Sequence, residues 1–596
     1  MNANYRVIRT AEELRRAVES LSSQPVIGLD TETTELDPYT SRLRLIQLAA
    51  PDCVYIVDLD AFIVSANGNF AKNESLAPLK RLLEAPRPIK IAHNAKFDAK
   101  FIKYNLGADI VGLFDTLLAS QLVSGGDIEE RHGLETVASR HLNELIDKSE
   151  RLSNWNFELS EAQLQYAARD AAILLPLREK LIERLKAESL IKCAQLEFEC
   201  VMTVADIELA GFYMHKDRWL EQLAIVEEKR AHLAEQLQEV LAEESSQGTL
   251  FGGPQRDDIN LDSQQQVTQA LERLGIPVPD STRNWKLQPL AAQYPVIATL
   301  LEYRTVQKAL TSYGQNMIEL INPTTGRLHA DFRQIGAPTG RFSCTNPNIQ
   351  QVPHTVEYRR CFSGYPDSRR LVIADYSQIE LRILAEFSGD HGFIDAFNSG
   401  ADLHRVTAAQ VFNLALDQVS KEQRDFAKRL NFGVVYGIGA QRFSMLTGLS
   451  VAEAENILRK YFATYRGLDN YLREAANRAV SERQARTASG RLVRFRFDEQ
   501  DRQQVSMTQR NGKNTPIQGT SADILKRALR LLRDELRGTS AQIVNIIHDE
   551  IVVEVNASEA EEIARKVERA MCAAGEEYLK TVPVKVETEI ADEWVK

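Results

Sequence analysis

Short apolar segments alternate with amphipathic ones from Val26 to about Leu190. The segments VIGLD, LRLIQLA, CVYIVDL and IKIAHN have the length and the β-branched content of strands, and stretches with helical spacing follow them. This alternation predicts a mixed α/β domain in the first third of the chain.

The next stretch has the hydrophobic spacing of long helices. Its apolar residues recur at helical intervals at Leu223, Val226, Leu233, Leu237 and Val240. The pattern breaks at SSQGTLFGGPQRDDIN and resumes in DSQQQVTQALERLG, after an Asp-Ser capping signal. We therefore expect a long helical hairpin with a mobile tip.

Strands return from Gly326 to about Glu386. The segment LVIADYSQIELRILAEF predicts an apolar strand that runs through Asp375 into a helix. Helical patterns then dominate to about Leu536. After them, the alternation in QIVNIIHDEIVVEV predicts a hairpin that turns at or near His548-Asp549-Glu550.

Length and composition indicate a large globular protein. The 596 residues correspond to about four typical domains of roughly 150 residues, so several cores are expected. Hydrophobic residues make up 44% and charged residues 26%, which excludes disordered and collagen-like classes. No segment has the roughly 18 consecutive apolar residues of a membrane helix, so we expect a soluble protein without a membrane partner.

Cysteine usage and charge add two expectations. The six cysteines are scattered without a C-x-x-C pair, and the N-terminus lacks an apolar signal segment, so we expect reduced thiols and a cytoplasmic location. The net charge is 72 − 83 = −11, which taken alone counts against a nucleic-acid partner. Net charge does not report local patches, however.

Four acids and one tyrosine form the first candidate site. Asp30 and Glu32 lie two residues apart in VIGLDTET, a strand spacing that points both carboxylates to one face. Asp98 ends HNAKFD, Asp170 ends YAARD, and Tyr166 precedes Asp170 by one helical turn. Such a set suits phosphodiester hydrolysis with two Mg²⁺ ions. Each acid by itself also fits a helix cap or a solvated charge.

The ordered motifs D-x-E, N-x-x-x-D and Y-x-x-x-D resemble those of the DEDD-type 3′–5′ exonucleases, in the subclass whose third motif carries Tyr. The resemblance covers about residues 20–190 and includes Asn94 ahead of Asp98. It implies an RNase H-like domain with proofreading activity. It also implies that the four acids are metal ligands and that Tyr166 positions the attacking water.

The second candidate site joins two distant aspartates with a helical stripe. Asp375 and Asp549 both stand at predicted strand ends among apolar residues, where a shared pair of metal ions would satisfy them. Between them, RDFAKRLNFGVVYGIG carries a stripe that is basic at its start and aromatic at its end: Arg424, Lys428, Phe432 and Tyr436. This stripe suits the phosphates and the base of a nucleoside triphosphate. An ordinary amphipathic helix is the alternative.

Three segments, DYSQIELR, RDFAKRLNFGVVYG and HDEIVVEV, appear in the order of the polymerase motifs of family A DNA polymerases, the bacterial polymerase I group. The segments TGRFSCTNPNIQQVP, NTPIQGTSADILKRA and VPVKVETEIADEWVK are also similar to this family. The resemblance covers about residues 196–596. It implies a right-hand polymerase with palm, fingers and thumb.

The two resemblances together predict the domain organisation. We expect an exonuclease domain at 1–192 and a polymerase domain at 193–596. Within the latter we expect the thumb at about 215–325, the palm at about 326–395 and 515–596, and the fingers at about 396–514. Only 29 residues precede Asp30, too few for a 5′ nuclease domain, so flap removal is expected from a separate protein.

The resemblance to family A also implies the catalytic roles. Asp375 and Asp549 become ligands of two Mg²⁺ ions, which Mn²⁺ can replace, and two further ions belong to the exonuclease site. Lys428 becomes a phosphate contact and a candidate proton donor to the pyrophosphate. Glu550 becomes a supporting residue beside the metals.

Substrate contacts follow from the same resemblance. Glu380 matches the steric gate against a ribose 2′-hydroxyl, and Phe432 stands where relatives carry Phe or Tyr, which predicts discrimination against dideoxynucleotides. Gln378 and the phosphate-contacting His404 complete the nucleotide-binding set. The expected DNA contacts, which test base-pair geometry from the minor groove, are Arg341, Asn348, Gln350, Arg510, Asn514, Gln518 and His548.

The sequence thus predicts a template-directed DNA polymerase with a proofreading exonuclease. We expect primer–template DNA and deoxynucleoside triphosphates as partners, with a separate 5′ nuclease and a ligase, and a nucleoid-associated monomer. One alternative is a degradative exonuclease whose polymerase half only binds duplex DNA. A non-catalytic DNA scaffold is a second. The choice between gap-filling and processive replication stays open.

Overall fold

The structure is a computed structural model of the chain, and it describes residues 3–63, 70–145, 153–244, 256–278, 281–366 and 368–595. The chain divides into two compact units. The large unit comprises Met1–Phe212, Asn322–Gln350 and Gly364–Asp592, and the small unit comprises Tyr213–Ile321, Gln351–Ser363 and Glu593–Lys596. These units do not test the predicted domain bounds, which stay a prediction.

The N-terminal part of the large unit has the predicted mixed α/β organisation. Its strands are β1 (Tyr5–Ile8), β2 (Val26–Thr33), β3 (Leu43–Ala49), β4 (Val54–Asp58), β5 (Ile89–Ala92) and β6 (Leu113–Asp115). Its helices are α1 (Ala11–Ser22), α2 (Ala77–Glu84), α3 (Ala95–Leu106), α4 (Thr116–Ser124), α5 (Leu134–Leu142), α6 (Glu161–Ala187) and α7 (Ile191–Ala210).

The six strands form one mixed sheet in the order β1-β4-β3-β2-β5-β6. The neighbours of β2 are β3, which is antiparallel, and β5, which is parallel. Helix α6 packs on this sheet and begins with a capping box, in which Ser160 and Gln163 satisfy each other's backbone N–H groups. The sheet therefore places β2 at its centre, with α6 against it.

The small unit is helical. It contains β7 (Phe212–Tyr213, at the chain boundary with the large unit), α8 (Lys216–Leu241), β8 (Glu243–Glu244), β9 (Arg256–Asp257), α9 (Gln264–Arg273), α10 (Asn284–Leu287), α11 (Pro295–Tyr313), α12 (Asn316–Glu319) and α13 (Val356–Arg359). No helix within the described ranges is long and apolar enough to cross a membrane.

The predicted helical hairpin is only partly correct. Helix α8 buries the expected stripe except for Val240, which is 48% exposed. The predicted second arm, α9, has ten residues and ends before Gly275, which has a φ of +68°. The long partner of α8 is instead α11, joined to it by an ion pair of 2.6 Å between Lys229 and Glu302. Most of the predicted mobile tip lies outside the described residues.

The C-terminal part of the large unit joins a four-stranded sheet to many helices. The strands of this part are β10 (Arg327–Leu328), β11 (Asp331–Arg333), β12 (Ser343–Thr345), β13 (Arg369–Tyr376), β14 (Gln484–Arg486), β15 (Leu492–Arg494), β16 (Gln542–Ile547), β17 (Glu550–Asn556) and β18 (Val586–Ala591). The helices are α14 (Ile379–Ser388), α15 (His391–Asn398), α16 (Leu403–Phe412), α17 (Lys421–Val435), α18 (Ala440–Thr447), α19 (Val451–Thr464), α20 (Arg466–Ser481), α21 (Arg502–Glu535) and α22 (Ala560–Glu576).

Strand β13 lies inside the antiparallel sheet β16-β17-β13-β18. Its residues Leu371–Ala374 are fully buried, as a strand covered on both faces requires. The predicted hairpin is confirmed: β16 ends at Ile547, β17 begins at Glu550, and His548 between them has a φ of +53°. This sheet brings the end of β13 beside the turn of the hairpin.

Asp390 joins the starts of two helices in this part of the chain. Its Oδ1 accepts hydrogen bonds from the backbone of Gly392 (3.0 Å) and Phe393 (3.4 Å) at the start of α15. Its Oδ2 accepts from Gly467 (2.9 Å) and Leu468 (3.4 Å) at the start of α20. One buried carboxylate thus satisfies four backbone donors on two helices.

We predict that Asp390→Ala lowers the free energy of unfolding by about 2 kcal/mol, because it leaves buried N–H groups unsatisfied on both helices. Urea unfolding followed by far-ultraviolet circular dichroism measures this loss. Hydrogen exchange of peptides 391–398 and 466–481 should accelerate together. Asp501→Ala is the matched control, since Asp501 is only half-buried and caps only α21. An equal loss in both variants would contradict the bridging role.

Candidate active sites

The first site forms where α6 crosses β2. Asp30 and Glu32 project from the same face of β2, as the strand spacing predicts. A Cβ on Gly28 would lie 2.3 Å from the carbonyl oxygen of Ala171, so only glycine allows α6 to approach this closely. The close approach brings Asp170, the neighbour of Ala171, to the two strand carboxylates.

The four predicted acids form one electrostatic cluster, in which Asp98 and Asp170 are buried and Asp30 and Glu32 are half-buried. Burial raises the pKa of Asp30 well above its ordinary value, and the charges of the other three acids raise it further. The pKa of Glu32 is raised in the same way, first by burial and then by Asp170 and Asp98. Burial also raises the pKa of Asp98 to about 7, although a hydrogen bond of 2.6 Å from the Thr31 hydroxyl opposes the shift.

This repulsion fits the cluster to cations. Within the described ranges, no group of three or more His, Cys, Asp or Glu side chains is placed to hold one ion alone. Mg²⁺ usually takes only one or two carboxylates from a protein and completes its shell with water and substrate phosphate oxygens. Carboxylates that lie close together in a partly buried position therefore match the donor set of such a site.

Tyr166 adjoins the cluster in its protonated form. Burial raises the pKa of its phenol far above the ordinary value, and the neighbouring charge of Asp170 adds to the shift. The phenol donates a hydrogen bond to the Asp170 carboxylate. The hydroxyl thus stays a proton donor at the edge of the cluster.

Asp115 is a residue of this site that the sequence analysis missed. Its carboxylate accepts from the backbone N–H groups of Asn94 (3.2 Å) and Ala95 (2.8 Å) at the start of α3. It also accepts from Leu117 (2.8 Å) at the start of α4. Since Asp98 lies one turn into α3, Asp115 fixes the helix that carries it. The Asp of F-D-T, directly before the apolar run LLASQLV, is the capping signal that the sequence offers for α4, whereas the contact with α3 has no local signal.

The second site is a cavity of about 350 Å³ between the β13 sheet and the helices α14, α17 and α21. It brings together eight residues that the sequence predicts for the polymerase site: Arg341, Asp375, Gln378, Glu380, Phe432, Tyr436, His548 and Asp549. Three further lining residues were missed, namely Tyr376, Ile379 and Ser521. Ser521 follows the predicted Gln518 by three residues on α21, so helical spacing could have identified it.

Strand register places the two aspartates of the cavity together. Asp375, near the end of β13, pairs with Glu550 at the start of β17, and Asp549 directly precedes Glu550. Burial raises the pKa of Asp549 to about 7, and the charges of Asp375 and Glu380 raise it further, while Arg341 opposes the shift. As in the first site, two close carboxylates in a partly buried position suit divalent cations. Glu550 is buried outside the cavity lining.

Glu380 has two polar neighbours in the cavity, Arg341 and Tyr436. The guanidinium of Arg341 forms an ion pair with its carboxylate. Burial raises the pKa of Tyr436 to about 12, and the charge of the adjacent Glu380 carboxylate adds to the shift. Arg341, a predicted DNA contact, is thus bound to the predicted steric gate in this structure.

The phosphate-binding residues are not gathered at the cavity. Arg424 on α17 pairs with Asp402 at 2.5 Å, and Lys428 is exposed one turn further along. His404 is 2% exposed and its Nδ1 lies 3.0 Å from the side-chain amide of Asn431, and its expected phosphate contact stays a prediction. Burial lowers the pKa of His404 to about 4, so the ring is neutral.

The remaining predicted DNA contacts lie on two elements near the cavity. Arg510, Asn514 and Gln518 recur every four residues on α21 and share one face of the helix that delivers Ser521 to the cavity. The segment that follows β12 carries Asn348 and Gln350. The Gln350 amide donates to the carbonyl of Ile546 (2.9 Å) in the hairpin before Asp549. These residues are not part of the cavity lining.

Comparison with known proteins identifies both regions. The model of DNA polymerase family A matches residues 225–596, and a 3′–5′ exonuclease model matches residues 5–186. A protein named DNA polymerase I from Aquifex aeolicus is 32% identical over 626 aligned positions, covering 100% of both chains. Another of that name, from Chloroflexus aurantiacus, is 31% identical over 99% of this chain, which spans 63% of that relative's length.

The likeness extends to a solved structure. The POL domain of Pol1 from M. smegmatis, in a complex with DNA primer-template and dNTP, has a TM-score of 0.85 at 26% sequence identity, covering 99% of each chain. The predicted fold class, an exonuclease domain followed by a family A polymerase, is therefore confirmed. The family model covers more than half of the sequence, and the chain belongs to DNA polymerase family A and carries a 3′–5′ exonuclease domain ahead of its polymerase region.

Proposed function

We propose that the chain is a template-directed DNA polymerase that extends a primer with deoxynucleoside triphosphates and removes mispaired primer ends by 3′–5′ hydrolysis. The observation that carries this proposal is the presence of two separate carboxylate sites in the large unit. One is the cluster around Asp30, and the other is the cavity around Asp375 and Asp549. The family membership and the M. smegmatis complex with DNA primer-template and dNTP support it.

Both sites would hold divalent metal ions, with Mg²⁺ as the first choice. Asp375 and Asp549 would hold them in the cavity, and the four acids of the first cluster would hold them there. Bound in this way, the ions would activate the attacking oxygen and neutralise charge on the leaving group. The raised pKa values of Asp30, Glu32 and Asp549 support this assignment, because a nearby cation offsets both the burial and the repulsion that raise them.

In the polymerase cavity the side chains of the chain bind and select the nucleotide. Phe432 and Tyr436 offer aromatic surfaces to the sugar and the base, and Glu380 fills the space that a ribose 2′-hydroxyl would need. Lys428, exposed on α17, contacts the phosphates and is the candidate proton donor to the pyrophosphate. Arg424 joins it when a phosphate displaces Asp402.

The template and primer are held by donors that tolerate any sequence. The common face of α21 with Arg510, Asn514 and Gln518 points its polar groups at the minor groove, whose acceptors are shared by every Watson–Crick pair. Asn348, Gln350 and His548 contact the primer strand beside the cavity. Both active sites belong to the large unit, so a frayed primer end reaches the exonuclease site at high local concentration.

Several finer expectations stay predictions. The separate 5′ nuclease, the ligase partner, the monomeric state and the association with the nucleoid belong to this group.

The first experiment is primer extension on a 5′-labelled primer–template with Mg²⁺, run with and without deoxynucleoside triphosphates. We expect the wild type to extend the primer with them and to shorten it without them. Asp549→Ala should only shorten the primer, and Asp30→Ala should only extend it, because each variant removes a ligand from one site. Each variant is therefore the folding control of the other. A wild type that shortens the primer and never extends it would establish the degradative alternative.

The role of Tyr166 is tested by Tyr166→Phe. Loss of the hydroxyl that orients the water should lower the rate of primer shortening by at least about tenfold and leave extension unchanged. Tyr5→Phe is the matched control, because the Tyr5 phenol bonds Glu161 on the same helix away from the acids. Equal rates for Tyr166→Phe and the wild type would show that the phenol is only a structural neighbour of Asp170.

The nucleotide contact of Phe432 is tested by Phe432→Tyr. Phenylalanine offers no hydroxyl in place of the missing 3′-hydroxyl of a dideoxynucleotide, so the wild type should discriminate against it. The tyrosine variant should accept dideoxynucleotides at least about tenfold better relative to the normal substrate. Gel-based measurement of the two kcat/KM values gives the ratio. Phe412→Tyr, outside the cavity, should match the wild type, and a wild type that uses both nucleotides equally would refute the assignment.

A further inference from the structure

A buried ionic cluster lies in the large unit outside both candidate sites. Its members are Glu197 on α7, Arg491 before β15, and Asp523 and Lys526 on α21, and each is at most 1% exposed. The Arg491 guanidinium donates to Asp523 (2.7 Å) and to Glu197 (2.5 Å), and the Lys526 ammonium also pairs with Glu197. Two acids and two cations thus balance in charge.

Such a cluster is a poor source of stability. The cost of removing four charges from water is of the same size as the attraction between them, and apolar residues of equal volume often serve better. One hydrogen bond of the cluster goes to the main chain. The Lys526 ammonium donates a hydrogen bond of 2.7 Å to the carbonyl oxygen of Gly340. The cluster therefore fixes a backbone segment as well as its own members.

Gly340 fits this contact in two ways. Its φ is +83°, a conformation that favours glycine. A Cβ at this position would lie 2.4 Å from Nε of Arg491 and 2.5 Å from its Cζ, so the guanidinium lies directly against the glycine backbone. Lys526 and Arg491 thus hold Gly340 through its carbonyl and its Cα.

The segment is confined on a second side by α21. A Cβ on Gly519 would lie 3.0 Å from the carbonyl oxygen of Thr339 and 2.3 Å from Cγ2 of Thr487. The helix backbone therefore touches the residue before Gly340. With the cluster on one side and Gly519 on the other, the path of the chain at residues 339–340 is tightly defined.

The next residue, Arg341, connects this fixed backbone segment to the nucleotide cavity. Its guanidinium forms the ion pair with Glu380, and both residues line the cavity that holds Asp375 and Asp549. The Glu380 carboxylate is the proposed barrier to a 2′-hydroxyl. The position of this carboxylate depends on Arg341. The backbone position from which the Arg341 side chain extends depends in turn on Gly340.

We propose that Lys526, supported by Arg491, is a positioning residue for sugar selection: it fixes the Gly340 backbone so that Arg341 holds Glu380 in place. This inference rests on the proposed polymerase function and on the role of Glu380 within it. Neither Lys526 nor Arg491 lines the cavity, so the effect passes through the backbone of residues 340–341.

Single-nucleotide incorporation tests the proposal, with kcat/KM measured for a deoxynucleotide and for the matching ribonucleotide. Lys526→Met should lower the ratio of the two by about tenfold, because a charge-assisted hydrogen bond to the backbone is lost. The double variant Glu197→Gln/Lys526→Met removes both charges of one pair and should show the same loss. It keeps the test valid if the single variant does not fold, because Arg491 still pairs with Asp523.

Two controls separate positioning from general damage. Arg327→Met breaks the buried ion pair of Arg327 with Glu554 (2.8 Å), in the same unit and away from Gly340, and should leave the ratio unchanged. In an Arg341→Met background, Lys526→Met should cause no further loss, since the two act in one chain of contacts. Primer shortening by each variant reports that the protein is folded.

The proposal is overturned if Lys526→Met and the double variant keep the wild-type ratio, or if Arg327→Met loses discrimination equally. These results require a wild type that extends primers. A wild type that does not extend them at all removes the proposed function itself, so the two failures are distinguishable.

Discussion

Each of the two sites depends on acidic side chains that the fold buries beside one another. These carboxylates repel one another, and burial together with that repulsion raises the pKa values of Asp30, Glu32 and Asp549. Rigid elements hold the carboxylates together against this repulsion. They are a central strand, capped helices and an antiparallel hairpin. Such elements keep the charges together where a flexible loop would let them separate.

Close backbone contacts at glycine residues determine where the charged side chains of the sites lie. At Gly28 the carbonyl oxygen of Ala171 on α6 occupies the space that a side chain would need. This close approach sets the distance from Asp170 to the strand acids. At Gly340 and Gly519 a similar approach sets the path of the chain into the nucleotide cavity. In both sites the backbone, held at close range, determines where a charged side chain begins.

Much of this arrangement could be predicted from the sequence. The alternation of side chains along a strand predicts that Asp30 and Glu32 share one face. The predicted hairpin places Asp549 at its turn. Long-range packing could not be predicted in the same way. The pairing of α8 with α11, the burial of His404 behind Asn431 and the cap from Asp115 to α3 all depend on residues far apart in sequence. Local periodicity carries no information about such partners.

The ion pair of Arg424 with Asp402 divides the residues of the nucleotide site into two groups. The half with Asp375, Asp549 and Glu380 is already assembled around the cavity, whereas the phosphate half is bound to a neighbouring acid. A phosphate that replaces Asp402 exchanges one charge-assisted contact of Arg424 for another, so little net energy is needed. In the proposed function, the triphosphate therefore has to replace the Asp402 contact of Arg424, whereas Asp375, Asp549 and Glu380 already line the cavity that receives the nucleotide.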